Sequence, residues 1–341
     1  LYKVAFECRQ PELPIQNLEP QLSNTTYFNL FQQKSTMARA YKLIKGHFVI
    51  RYLDLPKSGP EPDGDTIKFL PDQRSLVEAL EELSGTPPDI NDRGISIRLE
   101  AIDALETHYP VGQKEFHQEL DGANDARDRH LELLGFKDVV FWENLPNKVK
   151  SSNKPSLPGY VLSNGIDVHG RLIGFVFPGQ PDKELGPDGA SVDADNDLID
   201  KSANTILLKE GRVFAAFYKT LPSPLQEHLA TVAENARTAR KGIWRRATAT
   251  KNKPANIVDI KALEELVVWP KLFRRLATFF AQTGDEVDQF EGWLRAGGAR
   301  RDDRLDRLDT GARSKLSDVV TVDDNGIKLD VWPEEIVIND A

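Results

Sequence analysis

The sequence predicts an α+β protein in which short strands close a small barrel, helices pack against its outside, and a small C-terminal α/β unit follows. Three observations carry this. Ile95, Ile97 and Leu99 alternate with Ser96, Arg98 and Glu100, the period of a strand with one buried face. Leu172 to Phe177 is apolar on both faces, as suits a barrel strand with a core inside it and a helix outside. Leu225, Leu229, Val232, Ala236 and Ile243 form one stripe at helical spacing, the mark of an amphipathic helix laid on such a core.

Residues 1–39 are an N-terminal extension, rich in Pro, Gln and Asn and without periodicity over most of its length. It is either a segment upstream of a start at Met37, the single methionine, or the remnant of a longer chain. From Ala40 to Leu55 the apolar residues Leu43, Ile44, Phe48, Val49, Ile50 and Leu53 predict a strand, or a bent pair broken at Gly46. Pro56 to Gly64 is a loop that ends in the Asp63-Gly64-Asp65 turn and enters a strand at Thr66. Ser75 to Leu83 reads as a helix with Ser75 as its N-cap. Beyond the central strand, Asp103 and Glu106 stand three residues apart in what reads as the turn leaving it.

Gln113 to Leu134 is expected to be a helix closed by Gly135. Asp138 to Glu143 is the next strand, Lys148 to Pro158 a loop, and Gly159 to Ser163 a short strand before the Gly170-Arg171 turn. In the acidic stretch Gln180 to Asp200, Asp193, Asp195 and Asp197 mimic the opening of a calcium loop. Leu198 and Asn204 stand where such a loop needs Gly and Glu, so a solvated insertion is expected. Helices follow over Ala203 to about Val213 and Leu225 to Trp244, the latter ending in a cluster of arginines suited to its dipole. After the linker Lys251 to Asn256, helices begin at Pro270 and around Phe290. The alternating charges of Arg300 to Asp309 predict an exposed face, and Asp324-Asn325-Gly326 predicts a hairpin turn.

Composition bounds the function. With 341 residues, 40% apolar and 28% charged, the chain can build a core without covalent staples. A single cysteine, Cys8, leaves no internal disulfide or cysteine zinc site and fits a reducing, cytoplasmic setting. There is no signal-peptide pattern and no apolar run long enough to span a bilayer, so no membrane partner is expected. A net charge of −9 argues against wrapping duplex nucleic acid through a broad basic surface. It is compatible with gripping one phosphodiester, where a few arginines and a cation set the local potential.

Three pieces stand in order: Asp63-Gly64-Asp65-Thr66, then Arg98-Leu99 with Ile102-Asp103 and Glu106, then Gly170-Arg171 opening a later strand. Together they resemble the thermonuclease family, the staphylococcal-nuclease-like domains, and Asn204 and Gly242-Ile243-Trp244 resemble that domain's closing part. The resemblance covers residues 40–247, with insertions near 70–94 and 178–201, and leaves 248–341 as a C-terminal accessory region of helices and a hairpin. It implies a five-stranded barrel of the OB-fold type. It also implies a Ca²⁺-dependent nuclease that hydrolyses DNA, RNA or both by attack of water on phosphorus, leaving 3′-phosphate ends.

Asp65 and Asp103 are hard oxygen ligands suited to Ca²⁺, and the resemblance adds the carbonyl of Ala104. Glu106 would orient or deprotonate the attacking water. Arg98 and Arg171 carry planar forks that bind phosphate oxygens in pairs and stabilise charge in the transition state. His169, Tyr218 and Lys219 are further substrate-binding candidates, although a solvated turn residue is the simpler expectation for His169 and packing for Tyr218. Singly, each acid or arginine is most simply a turn residue or half of an exposed ion pair; five in the family's order are not. One departure matters: Ala104-Leu105 replaces the family's Thr-Pro or Ala-Pro, so Glu106 loses a rigid neighbour. The alternative reading is a non-catalytic nuclease-like module that binds nucleic acid or protein, and the C-terminal region is a candidate surface for a protein partner.

Overall fold

A computed structural model describes residues 40–339 apart from 285, 299, 300 and 325. The expectations for residues 1–39 and for Asn325 lie outside the described residues. The described residues form one compact unit.

The strands that position the site are β1 (Tyr41–Val49), β2 (Thr66–Pro71), β3 (Ile95–Leu99), β4 (Ala101–Asp103), β5 (Ser156–Ile166), β6 (Leu172–Pro178) and β7 (Phe214–Tyr218). Of these, β1, β2, β3, β6 and β5 pair in that order, and β5 pairs back onto β1, so the five close a barrel. Only β3 and β6 run parallel. Ile67, Phe69, Ile95, Ile97 and Leu99 fill the interior, while Thr66, Lys68, Ser96 and Arg98 lie on the outer face of β2 and β3.

Several elements differ from the sequence expectation. Gly46 does not break β1: it pairs with Gly159 on one side and Pro71 on the other. A Cβ there would strike the Leu70 carbonyl and the Phe69 ring, so the glycine permits close approach of strands. The helix expected at 75–83 is shorter, Arg74–Glu78, with Gln73 rather than Ser75 at the N-cap. The helix expected from Gln113 begins at Leu120, because Lys114–Phe116 is a strand paired with Tyr109–Val111. The loop expected at 148–158 is largely strand, and Gly159–Ser163 is the middle of the eleven-residue β5. In the acidic insertion, Asp195 caps a helical turn at Leu198 N–H and Asp188 accepts from Lys45 N–H, so these carboxylates hold backbone.

The helices with structural weight are α1 (Leu120–Leu133), α2 (Ala203–Glu210), α3 (Ser223–Thr238) and α4 (Pro270–Thr283). Asn204, at the start of α2, donates to the carbonyls of Glu100 and Gly174 and accepts from Val176 N–H, tying the helix to the barrel where β3 ends. There Ala101 takes a φ of 69°, a left-handed conformation uncommon for a residue with a side chain. The chain turns out of the barrel at that kink, and β4 pairs with β7.

That turn opens a second sheet. Its order is Arg313–Lys315, Arg304–Arg307, Ile336–Ile338, β7, β4, so the C-terminal region supplies three of its five strands. Alternate residues of β7 face different cores: Ala215 and Phe217 pack with the barrel, Phe214 and Ala216 with the C-terminal region. Ala104 and Leu105 divide in the same way. The segment that carries the acidic residues therefore runs along the seam between two apolar bodies. The charge run read as an exposed face is also partly interior: Asp302 and Asp303 are buried, the first on Ser317, the second on Lys271 and Arg275. The hairpin of Val320–Asp323 with Gly326–Leu329 forms as expected.

Candidate active site

Two chain segments bring carboxylates to one end of the barrel. In the first, Asp63 accepts from the N–H groups of Asp65 (3.0 Å) and Thr66 (2.6 Å), which closes the turn into β2. A Cβ on Gly64 would stand 2.5 Å from that of Ala104 and 3.0 Å from that of Ala126, so only glycine lets this turn lie against the second segment and α1. His130 of α1 donates to the Asp63 carbonyl at 2.9 Å. In the second segment, Asp103 ends β4 instead of lying in a turn, and Glu106 follows in the loop.

Arg98 joins the two. Its guanidinium pairs with Asp65 and, at 2.5 Å, with Asp103. Asp65 also accepts from Ala104 N–H at 2.7 Å, so the Ala104 peptide and both carboxylates converge. Glu106 is held through its backbone. Its N–H donates to the Gln118 side chain at 3.1 Å, its carbonyl accepts from Gln118 N–H at 2.8 Å, and the Gln118 amide is anchored on the Val268 carbonyl. Leu105, where the resemblance would put proline, is buried in the C-terminal core. Packing and hydrogen bonds hold this segment without a proline.

The sequence reading missed Arg274. Projecting from α4, it donates from Nη2 to Asp103 Oδ2 at 2.9 Å, from Nη1 to Asp103 Oδ1 at 3.2 Å, and from Nη1 to Glu106 Oε1 at 2.5 Å. The partners lie 168 and 171 residues away in sequence, and a charged residue on a helix otherwise striped with Leu272, Phe273 and Leu276 looks solvent-facing. Nothing in the pattern flags it.

The electrostatics follow from crowding acids in a poorly hydrated place. Burial, then the charges of Asp65 and Glu106, push Asp63 up to about 8. Burial also raises Glu106, helped by Asp65 and Asp103 and opposed by Arg274. Burial would raise Asp103 too, but Arg274 and Arg98 outweigh it and hold this carboxyl below the ordinary range.

The remaining candidates are placed differently. Ile173 pairs with Arg98, which sets Arg171, two residues back, on the same outer face, but its guanidinium is engaged by Asp167 at 2.7 and 2.8 Å and not by the acidic cluster. His169 is exposed on that turn. Tyr218 is half-buried at the end of β7, and its phenol is close enough to influence both Arg98 and Arg274. Lys219 lies 3.8 Å from Asp306, apart from the cluster.

Among the described residues no three ligating side chains stand together as a ready metal cage. The two carboxylates that Arg98 draws together, Asp65 and Asp103, nonetheless fit a hard divalent ion in kind, since such an ion takes waters beside carboxylates. They fit it in charge as well, because Asp65, Asp103 and Glu106 face only two guanidinium groups. Compared with known proteins, the chain matches no family model and no curated protein.

Proposed function

We propose that the chain is a nuclease of the staphylococcal type, hydrolysing phosphodiester bonds of DNA or RNA with the help of Ca²⁺. One observation carries the reading: Arg98 bridges Asp65 to Asp103, and Glu106 shares a guanidinium partner with Asp103, so four residues from two segments meet in one buried cluster. Asp65, Asp103 and the Ala104 carbonyl would hold the ion, which when bound supplies a Lewis acid for the phosphoryl oxygens.

Glu106 has the basicity for its role, since burial keeps its affinity for a proton above that of an ordinary glutamate. It takes a proton from water as the water oxygen bonds to phosphorus and the bond to the 5′ oxygen breaks. The 5′ oxygen leaves as an alkoxide and takes a proton from solvent water, so the products are a 3′-phosphate and a 5′-hydroxyl. Arg98 stabilises the charge that builds on the equatorial oxygens. Arg171, on the same face, takes a neighbouring phosphate once released from Asp167, and Tyr218 flanks the reacting group. A cavity of about 190 Å³ lined by Tyr52, Thr66, Lys68 and Ser96 continues along that face and has room for part of an adjoining nucleotide.

The test is incubation of the full chain with single-stranded DNA and with RNA, in Ca²⁺ and in excess chelator. Cleavage with 3′-phosphate ends in Ca²⁺ alone is expected. Cleavage unaffected by chelator removes the ion from the mechanism, and no cleavage of either polymer removes the activity.

A further inference from the structure

The acidic cluster already holds a cation of its own. Both oxygens of Asp103 receive Arg274, and Oδ1 receives Arg98 as well, so neither oxygen is left without a guanidinium donor. The Glu106 oxygen that Arg274 engages is fixed at 2.5 Å. A base held in that way is a poor acceptor for a proton from water, and an aspartate bonded on both oxygens offers poor access to a metal ion. The cavity along the outer face of β2 and β3 is not lined by Asp103 or Glu106, nor is another between Arg129, Glu210 and Lys241.

We infer that Arg274 and the divalent cation are alternative occupants of Asp103 and Glu106: the C-terminal helix closes the site when the ion is absent, and Arg274 withdraws when the ion binds. This rests on the function proposed above. Three features favour exchange over a permanent structural pair. The Arg274 side chain is long and flexible and one-fifth exposed as a whole, so water lies within its reach. Taking it away leaves Asp65 and Asp103 sharing Arg98 and strips Glu106 of its guanidinium partner, a charge balance that draws in a divalent ion. Asp103 itself stays in place without Arg274, because Arg98 and the β4 backbone both hold it. The C-terminal region thereby belongs to the site, which is sensitive to whatever moves α4.

The experiment measures Ca²⁺ binding by calorimetry to the full wild-type chain and to Arg274→Ala and Arg274→Met, the second keeping the apolar stem. Exchange predicts that both variants bind the ion about tenfold or more tightly than wild type, since a competing charge has gone. Arg274→Lys, which retains a cation, is expected to stay near wild type. A second readout needs no variant: phenylglyoxal labelling of wild type, read by mass spectrometry, is expected to rise at Arg274 when Ca²⁺ is added. Ca²⁺ that binds wild type and variants equally, with labelling of Arg274 unchanged, overturns exchange and leaves the nuclease reading standing. Failure of every protein to bind Ca²⁺ at millimolar concentration overturns the cation itself, and exchange with it.

Discussion

Gln118 grips Glu106 from both sides of its peptide, donating its own N–H to the Glu106 carbonyl and accepting the Glu106 N–H on its side chain. The glutamate read as the general base therefore owes its position to a residue twelve places on, itself pinned to Val268 in the C-terminal region.

Gln118→Ala leaves the Glu106 N–H and the Val268 carbonyl without their partner in a buried place. The expected stability loss is about 1–3 kcal/mol. The expected fall in kcat is about tenfold or more, with KM little changed, because a misplaced base costs rate and not binding. Thermal unfolding and steady-state kinetics measure the two; an unchanged kcat would show that Glu106 needs no such support.

Glu106→Gln keeps the shape of the side chain and removes its basicity. Hydrolysis is expected to fall by about 10²–10⁴-fold, with the far-ultraviolet circular dichroism of wild type retained. Undiminished cleavage by a folded variant excludes Glu106 as the base.

Glu100 supplies a pH dependence of stability separate from the site. It is buried beside Tyr41 and Asn164, and burial pushes its carboxyl up to about 7. The folded state thus holds the proton more tightly than the unfolded chain does. Its contribution is most favourable below the unfolded value of roughly 4.3, and it is lost as pH rises through about 7. Unfolding free energy is expected to decline over that window by at most about 4 kcal/mol on this account. Glu100→Gln should flatten the decline and leave the protein more stable than wild type at pH 8. Denaturant melts at a series of pH values decide it; a decline of equal size in the variant would assign the effect to another group.

A chain ended at residue 247 uncovers Leu105, Phe214, Ala216 and Trp244, all buried against the C-terminal region. Contiguous apolar exposure of this kind promotes association. The fragment is expected to aggregate or to lack a cooperative melt, as read by size-exclusion chromatography and calorimetry. A monomeric, active fragment of 40–247 would contradict the seam described here.

What could be read from the chain alone divides by the range of the forces involved. Ile95, Ile97 and Leu99 declare their strand, because alternation is a local record of which face is buried. The two segments of the acidic cluster were legible for a similar reason: each is a short, local spacing. Gly46 misled because a glycine in a strand signals a break and close approach alike, and only the neighbouring strand tells them apart. Pro155 and Pro158, amid polar residues, hid the start of β5, although Pro158 lies in a strand that pairs on both sides. Asp302 and Asp303 looked solvated because their partners, Ser317, Lys271 and Arg275, are supplied by folding. Arg274 escaped for the same reason, on the largest scale.

Phe214 and Ala215 are adjacent in the chain, yet their side chains dissolve in two different oily interiors. Melting either interior frees the strand that the other depends on, so the two should come apart together, in one all-or-none step. Amide protons of β4 and β7 would then exchange with deuterium through whole-molecule unfolding and not through local fraying, and Asp103 would stand on some of the most slowly exchanging backbone in the protein.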